Sequence, residues 1–83
     1  MLTIKVLGPG CANCQKLASL AERAVNALSV EAKIEKVTDY AEIMKYPILS
    51  TPGLVVNEKL VVSGRVPSEA EITTFLTTAL AAA

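Results

Sequence analysis

The chain contains no histidine and no tryptophan, and its eight acidic side chains balance its eight basic ones. Without histidine, the Cys-His pair of a cysteine protease and any zinc site completed by histidine are excluded. A formal net charge of zero gives no electrostatic reason to expect binding to nucleic acid or to an anionic membrane. Any reactive chemistry must therefore come from other side chains.

Long apolar runs are also missing. Residues 54–56 and 60–62 are too short to cross a membrane, and the N-terminal MLTIKVL lacks the pattern of a signal peptide. A chain of 83 residues has room for one core, so we expect a single domain over residues 1–83. We also expect a cytoplasmic protein without a membrane partner, and a monomer, because the pattern marks no interface patch.

The first half of the hydrophobic pattern predicts a β-α-β unit. Residues 2–7 alternate apolar and polar side chains and are rich in β-branched types, which indicates a strand. Residues 12–28 carry apolar side chains at helical spacing, and residues 30–37 alternate again, as in a half-exposed strand at a sheet edge. A crossover through the helix predicts that the two strands pair in parallel.

The second half predicts a short helix, a hairpin and a final helix. Capping-box spacing at Asp39 and Glu42 starts the short helix. Two well-buried strands then flank a tight turn at residues 57–59, and Ser68 with Glu71 starts the last helix. The predicted fold class is α/β, in the order β-α-β-α-β-β-α, with a mixed four-stranded sheet flanked by helices.

Both cysteines lie in one stretch, GPGCANCQ, at residues 8–15, where the GPG segment ends the first strand. A disulfide between Cys11 and Cys14 would close a loop of four residues, which removes little chain entropy and adds little stability. Fold stabilisation is therefore a poor explanation for the pair, and a reducing compartment suits two such thiols.

The position of the pair predicts thiol chemistry instead. The strand, glycine-rich loop and helix place Cys11 at a helix N-terminus, where unpaired N–H groups and the helix dipole stabilise a thiolate. Cys11 is therefore the candidate nucleophile in disulfide exchange. Cys14 follows three residues later on the same helical face, turned toward the body of the protein, and is the candidate resolving thiol.

Two alternatives use the same cysteines. Two thiolates could carry a soft metal ion such as Cu(I) or a metalloid, and a C-x-x-C loop between a first strand and a first helix also occurs in small copper chaperone domains. Those domains end in a strand and carry a methionine two residues before the first cysteine, whereas this chain ends in a helical pattern and has Pro9 there. The second alternative is that Cys11 and Cys14 are simply small buried residues.

The motif and its surroundings resemble the thioredoxin fold over essentially the whole chain. More narrowly, GPGCANC together with STPGLVVNEKLVVSGRVPS is similar to the small thioredoxin-like redox-active disulfide proteins of archaea and bacteria. The resemblance implies that Cys11 is the exposed nucleophile, Cys14 the resolving cysteine and Pro52 a cis-proline packed beside the disulfide. It also implies that Thr51 offers its backbone to the substrate.

The activity implied by the resemblance is that of a protein-disulfide reductase. Its partners would be disulfide-containing proteins and a thioredoxin-reductase-type electron donor. We expect no bound cofactor and no metal. A nicotinamide or flavin site needs a glycine-rich strand-to-helix turn with an acidic partner for the ribose, and GPGCANC meets neither requirement.

The chain departs from thioredoxins proper around the motif. Gly10 replaces the tryptophan before the first cysteine, and Ala12-Asn13 replaces Gly-Pro between the cysteines. The buried acid that assists the resolving thiol has no counterpart, since Asp39, the only aspartate, lies beyond the second strand. Lys5 is considered as an electrostatic substitute, although a solvated lysine is the favoured interpretation.

Three further residues near the predicted site are interpreted as structural. Arg65 is expected to be an ordinary exposed charge, which is the usual state of arginine, and the alternative is that it meets a partner near the active loop. Tyr40 and Tyr46 are expected to pack against the sheet, as aromatic residues at helix ends commonly do, and the alternative is that they border the site on the neighbouring loop.

Overall fold

Seven elements follow one another along the part of the chain that the structure, a computed structural model, describes, namely residues 2–10, 12–48 and 50–82. In chain order they are β1 (Leu2–Leu7), α1 (Ala12–Leu28), β2 (Ala32–Val37), α2 (Tyr40–Ile43), β3 (Gly53–Val56), β4 (Lys59–Ser63) and α3 (Glu69–Ala82). The predicted α/β class and order of elements are confirmed. The last described element is a helix, whereas the copper chaperone alternative requires a final strand.

Strand β1 lies inside a four-stranded sheet whose order is β2-β1-β3-β4. It pairs in parallel with β2, from Leu2 opposite Ala32 to Leu7 opposite Val37, and antiparallel with β3. Strand β3 in turn pairs antiparallel with β4. The predicted mixed sheet and the edge position of β2 are therefore confirmed.

The two faces of this sheet are covered unequally. On one face, which we call the α1/α3 face, both long helices pack on the strands, and the buried residues there are Leu2, Ile4, Val6, Leu17, Ala18, Ala21, Ala24, Val25, Leu54, Val56, Val62, Ile72 and Leu76. On the other, the α2 face, a smaller cluster forms around Leu7, Ile43 and Val55. Alternation along β1 explains the division, because Val6 points to the first face while Lys5 and Leu7 point to the second.

The helices begin at their predicted caps. Ser68 Oγ accepts from Glu71 N at 3.2 Å and the Glu71 carboxylate accepts from Ser68 N at 3.3 Å, which completes the capping box of α3. Asp39 Oδ1 caps α2 by accepting a hydrogen bond from Ala41 N at 3.1 Å. The Glu42 carboxylate forms an ion pair with Lys45 Nζ at 3.0 Å instead of accepting a hydrogen bond from Asp39 N. The capping box of α2 is therefore only half formed. Within the described ranges, no helix is both long and apolar enough to cross a membrane.

The strands differ from prediction at one end and in one burial pattern. Strand β2 begins at Ala32, two residues later than predicted, because Ser29 adopts a left-handed φ of 54° and turns the chain after α1. The hairpin turn consists of Asn57 and Glu58, whose φ values are 51° and 68°. Strand β4 is not well buried as predicted: it forms a sheet edge, and along it only Val62 is fully buried.

Candidate functional site

The loop between β1 and α1 leads into the cysteine motif. Gly8 N donates to Val37 O at 2.9 Å, so the start of the loop remains tied to the sheet. Gly10 has a φ of +91°, which L side chains rarely adopt, and its carbonyl accepts from Gln15 Nε2 at 3.2 Å. Cys11, the predicted nucleophile, lies outside the described residues, so its position at the helix N-terminus stays a prediction.

Cys14 lies in the first turn of α1, on the side that packs against the sheet. Its side chain is only 5% exposed. Its sulfur is in a disulfide, and the chain has one other cysteine, Cys11. The first turn holds no acidic residue, so no carboxylate there offsets the positive end of the helix dipole. The burial of Cys14 agrees with the expected orientation, and its role as resolving thiol remains a prediction.

Gly8 is a site residue that the sequence interpretation missed. A Cβ at this position would overlap Cys14 Sγ, so the missing side chain lets the sulfur approach the backbone. The same Cβ position lies 3.8 Å from Thr51 Cβ, which places Thr51 close to Gly8 and Cys14. The available signal was a glycine directly after a strand, which often marks a close approach to backbone.

The segment before β3 reaches the motif from a distant part of the chain. The Thr51–Pro52 peptide bond is cis, as the resemblance implied. Pro52 is buried and its carbonyl accepts from Gly64 N at 2.9 Å, while Ser50 O accepts from Ser63 Oγ at 3.3 Å. The end of β4 therefore holds this segment, with Thr51 exposed next to the glycine-rich loop. Substrate binding by Thr51 and Pro52 stays a prediction.

An open groove adjoins Thr51 on the side of α2. Its volume is about 340 Å³, and it is lined by Tyr40, Ile43, Met44, Ile48, Ser50 and Thr51. Tyr40 is 74% exposed and Met44 53% exposed. The prediction that Tyr40 packs against the sheet is wrong, because this residue begins a four-residue helix and its ring extends into solvent. Tyr46 does pack on the sheet, in the α2-face cluster.

Lys5 lies on the α2 face, away from Cys14. Its Nζ is 2.7 Å from Glu58 Oε1 and donates to Tyr46 Oη at 3.0 Å, and its side chain is 20% exposed. The bond to Glu58 and then the bond to Tyr46 raise the pKa of Lys5 well above its ordinary range. The interpretation of Lys5 as a solvated lysine is therefore wrong. It does not replace a buried acid beside Cys14 either, because alternation along β1 turns it to the other face.

Arg65 is exposed as predicted, and it is also ion-paired. Its two terminal nitrogens donate to the two carboxylate oxygens of Glu71 at 3.3 and 2.7 Å. The bond to Arg65, followed by the backbone N–H of Ser68, lowers the pKa of Glu71. Arg65 therefore supports the start of α3, and it is not directed at the cysteine motif.

Sequence comparisons relate the chain to known proteins over most of its length. A family model described as a thioredoxin domain matches residues 2–77. A thioredoxin of Methanothermobacter thermautotrophicus is 40% identical over 72 residues, which cover 87% of this chain and 94% of that protein. A thioredoxin of Methanocaldococcus jannaschii is 36% identical over 72 residues, which cover 87% of this chain and 83% of that protein.

A solved structure supports the fold independently. The germline-specific thioredoxin Deadhead of Drosophila melanogaster superimposes with a TM-score of 0.65, over 93% of this chain and 79% of that one, at 18% identity. The shared fold, the family model and the archaeal relatives agree with one another. The chain therefore belongs to the thioredoxin family.

Proposed function

We propose that the protein is a thiol–disulfide oxidoreductase that reduces disulfides of other proteins through Cys11 and Cys14. The observation that carries the proposal is the position of Cys14. In a member of the thioredoxin family, Cys14 is buried in a disulfide at the start of α1, close to the exposed Thr51. A buried sulfur beside an accessible backbone segment is suited to the resolving role, in which it attacks the mixed disulfide on Cys11 after a substrate has docked.

The proposed cycle starts with Cys11 as a thiolate. The unpaired N–H groups and positive dipole of the α1 N-terminus stabilise that anion. The Cys11 thiolate attacks one sulfur of the substrate disulfide, a mixed disulfide forms, and the other substrate sulfur leaves as a thiolate. Cys14 loses its proton to solvent and attacks the Cys11 sulfur. The Cys11–Cys14 bond forms, the second substrate sulfur leaves as a thiolate, and the substrate has gained two electrons.

Thr51 and the adjoining groove are the proposed substrate contacts. An extended substrate segment would lie along the exposed Thr51 backbone, as peptides do when they add to a strand. Pro52, buried and bonded to Gly64 N, keeps Thr51 in place. The groove beside Thr51 exposes Tyr40 and Met44, which suit an apolar side chain next to the substrate cysteine.

Turnover needs a separate electron donor. Reduction of a Cys11–Cys14 disulfide to the Cys11 thiolate and the Cys14 thiol consumes two electrons and one proton, and the proposed donor is a thioredoxin-reductase-type partner protein. A cytoplasmic location belongs to the same proposal, because a reducing compartment returns such a pair to the dithiol state. The proposed exchange requires no bound cofactor, and a monomer suffices for it.

A redox titration combined with single-cysteine variants tests the proposal. Metal-free protein is equilibrated with dithiothreitol or glutathione buffers, and its thiols are alkylated and counted by mass. We expect a reversible two-electron transition at about −120 to −270 mV, the range of known dithiol exchangers. Cys14→Ser should trap a mixed disulfide with a substrate such as insulin, and Cys11→Ser should abolish exchange.

Two results would contradict the proposal. A protein without a reversible disulfide, whose reduced thiols retain stoichiometric copper or zinc, would be a metal carrier. Equal residual exchange in Cys11→Ser and Cys14→Ser would contradict the assigned roles while leaving a redox activity in place.

A further inference from the structure

Met44 carries the exposed sulfur of the described part of the chain. The sequence holds two methionines and two cysteines, and the structure describes one of each, Met44 and Cys14. Met44 is 53% exposed, whereas Cys14 is 5% exposed and its sulfur is in a disulfide. Oxidation of sulfur follows exposure. In the disulfide state, an oxidant that comes from solvent therefore meets the thioether of Met44, while Cys14 is shielded and already bonded.

The geometry of α2 explains why Met44 faces solvent. Met44 N donates to Tyr40 O at 3.0 Å, and its φ of −72° and ψ of −6° continue the helix by one position. Residues four apart lie on the same side of a helix, so Met44 is a neighbour of Tyr40, which is 74% exposed. Ile43, which is 3% exposed, anchors the other side of α2 in the α2-face cluster. The solvent side of α2 therefore presents a thioether and an aromatic ring.

This side of α2 lies next to the proposed substrate contacts. Met44 and Thr51 line the same open groove, whose volume is about 340 Å³. Thr51 Cβ lies 3.8 Å from the position of a Cβ on Gly8, and the same position overlaps Cys14 Sγ. Thr51 therefore stands between the disulfide and the Met44 side of the groove. A substrate segment that docks along the Thr51 backbone places a neighbouring side chain against Met44.

The chemistry of the groove depends on the oxidation state of Met44. Its described lining is uncharged, and Tyr40, Ile43, Met44 and Ile48 give it an apolar character. A thioether packs well against apolar and aromatic side chains. A sulfoxide is polar and holds water through its oxygen. An apolar substrate side chain that displaces this water leaves the oxygen poorly bonded, which costs free energy.

We infer that Met44 is an oxidation site through which a peroxide lowers the affinity of the groove for apolar side chains of protein substrates. This inference rests on the proposed function. The peroxide transfers one oxygen atom to the Met44 sulfur, which loses two electrons. The O–O bond breaks, and water leaves when the peroxide is hydrogen peroxide. The Cys11–Cys14 pair takes no part in this step and keeps its own redox equilibrium.

The modification is reversible by a known class of enzyme. Return of the sulfoxide to the thioether takes up two electrons and two protons and releases water, and methionine sulfoxide reductases catalyse it, with one enzyme for each epimer. The exposure of Met44 on a four-residue helix leaves the sulfur open to such an enzyme as well as to the oxidant. Exchange with protein substrates therefore falls under peroxide and recovers when Met44 is reduced.

Peroxide treatment of the disulfide form tests the inference, because the cysteines are then protected. Mass analysis of the peptide that contains Met44 reports the added oxygen atom. Dithiothreitol then restores the dithiol and is removed, and disulfide formation in the protein is timed after mixing with insulin or with hydroxyethyl disulfide. We expect exchange with insulin to become about fivefold slower through the lost apolar contact. Exchange with hydroxyethyl disulfide should not change, because this small molecule does not extend into the groove.

Two variants and a repair reaction assign the effect to Met44. Met44→Leu keeps an apolar side chain without sulfur, so its treated and untreated forms should exchange with insulin at the same rate. This comparison also controls for oxidation of Met1. Met44→Gln places a polar group in the groove and should be slower with insulin than Met44→Leu before any treatment. Incubation of the oxidised wild type with both methionine sulfoxide reductases and dithiothreitol should restore its rate.

Several outcomes would overturn the inference. Met44 that stays unmodified under peroxide that oxidises free methionine is not an oxidation site. An unchanged insulin rate in protein whose Met44 is oxidised, or an equal fall in treated Met44→Leu or with hydroxyethyl disulfide, would show that the groove is not affected through Met44. If circular dichroism shows that Met44→Gln does not fold, the treated wild type decides the question. Untreated wild-type protein that exchanges with neither disulfide would overturn the proposed function instead.

Discussion

Lys5 and Lys36 lie on neighbouring strands near the same end of the sheet, but on opposite faces. Lys5 is held by Glu58 and Tyr46 and is 20% exposed. Lys36 is exposed, forms no ion pair with any described residue and lines a small cavity together with Cys14. The α1/α3 face therefore carries the buried Cys14, whereas the α2 face carries the ion pair of Lys5.

The largest expected effect is a difference in how much the cores of the two faces contribute to the free energy of unfolding. Leu76 on α3 and Ile43 on α2 are both buried, but two long helices cover the first face and a four-residue helix the second. Leu76→Ala should lower the free energy of unfolding by about 3–5 kcal/mol, and Ile43→Ala by about 2 kcal/mol, because the thinner cover relaxes around the cavity. Urea unfolding of the oxidised protein measures both. Equal losses of unfolding free energy in the two variants would mean that the cores of both faces contribute equally to stability.

Two alanine substitutions in the glycine-rich loop distinguish the effect of backbone strain at Gly10 from the effect of a side-chain contact between residue 8 and the disulfide. Gly8→Ala places a Cβ against Cys14 Sγ, so we expect a loss of stability of about 1–3 kcal/mol and an easier reduction of the disulfide. Gly10→Ala, whose Cβ meets no described atom, costs about 1–2 kcal/mol through its positive φ alone. Equilibration with dithiothreitol compares their redox states. A shift in that equilibrium for Gly10→Ala but not for Gly8→Ala would contradict the assigned contact.

The smallest expected effect is the pH dependence of the α2-face ion pair. Lys5 first and Tyr46 second lower the pKa of Glu58 from its ordinary value of 4.5. A lowered carboxyl pKa contributes stability that is present above the unfolded value and is lost as the pH falls from that value through the lower folded value. Glu58→Gln should therefore flatten the acid side of a stability profile measured by urea unfolding.

Two control measurements test whether the effect of Glu58→Gln on the acid stability profile comes from the ion pair with Lys5. Glu71→Gln removes the other carboxyl whose pKa is lowered, away from the sheet, and should flatten the profile independently. Redox equilibration of Glu58→Gln should match the wild type, because the ion pair lies on the face opposite Cys14. An unchanged acid profile in Glu58→Gln would show that the pair does not stabilise the fold.

The elements of the fold could be predicted because their signals are local. Period-two and helical spacing identified β1 and α1 with the bounds that the structure shows, and Ser68 with Glu71 located the start of α3. The end of a strand is a weaker signal. The left-handed turn at Ser29 shortens β2. This turn could not be predicted, because serine is not a residue type that favours the left-handed conformation.

The candidate site was only partly predictable. Cys14 and the cis Pro52 could be located through the motif and the family resemblance, whereas the roles of Cys11 and Thr51 remain predictions. Gly8 was missed because its close approach to sulfur depends on how α1 packs against β1. The interpretation of Lys5 as a substitute for the buried acid failed because alternation along β1 turns its side chain to the face opposite Cys14.

The sequence by itself determined the order of elements, the class of the sheet and the face on which each strand residue lies, because these follow from periods of a few residues. Even the side of Lys36 was readable from its spacing to Ala32 and Ile34. Tertiary structure alone decided which distant groups meet. Lys5 bonds to Glu58 and Tyr46, and Cys14 Sγ lies against Gly8, because such contacts depend on the packing of segments that no local pattern relates.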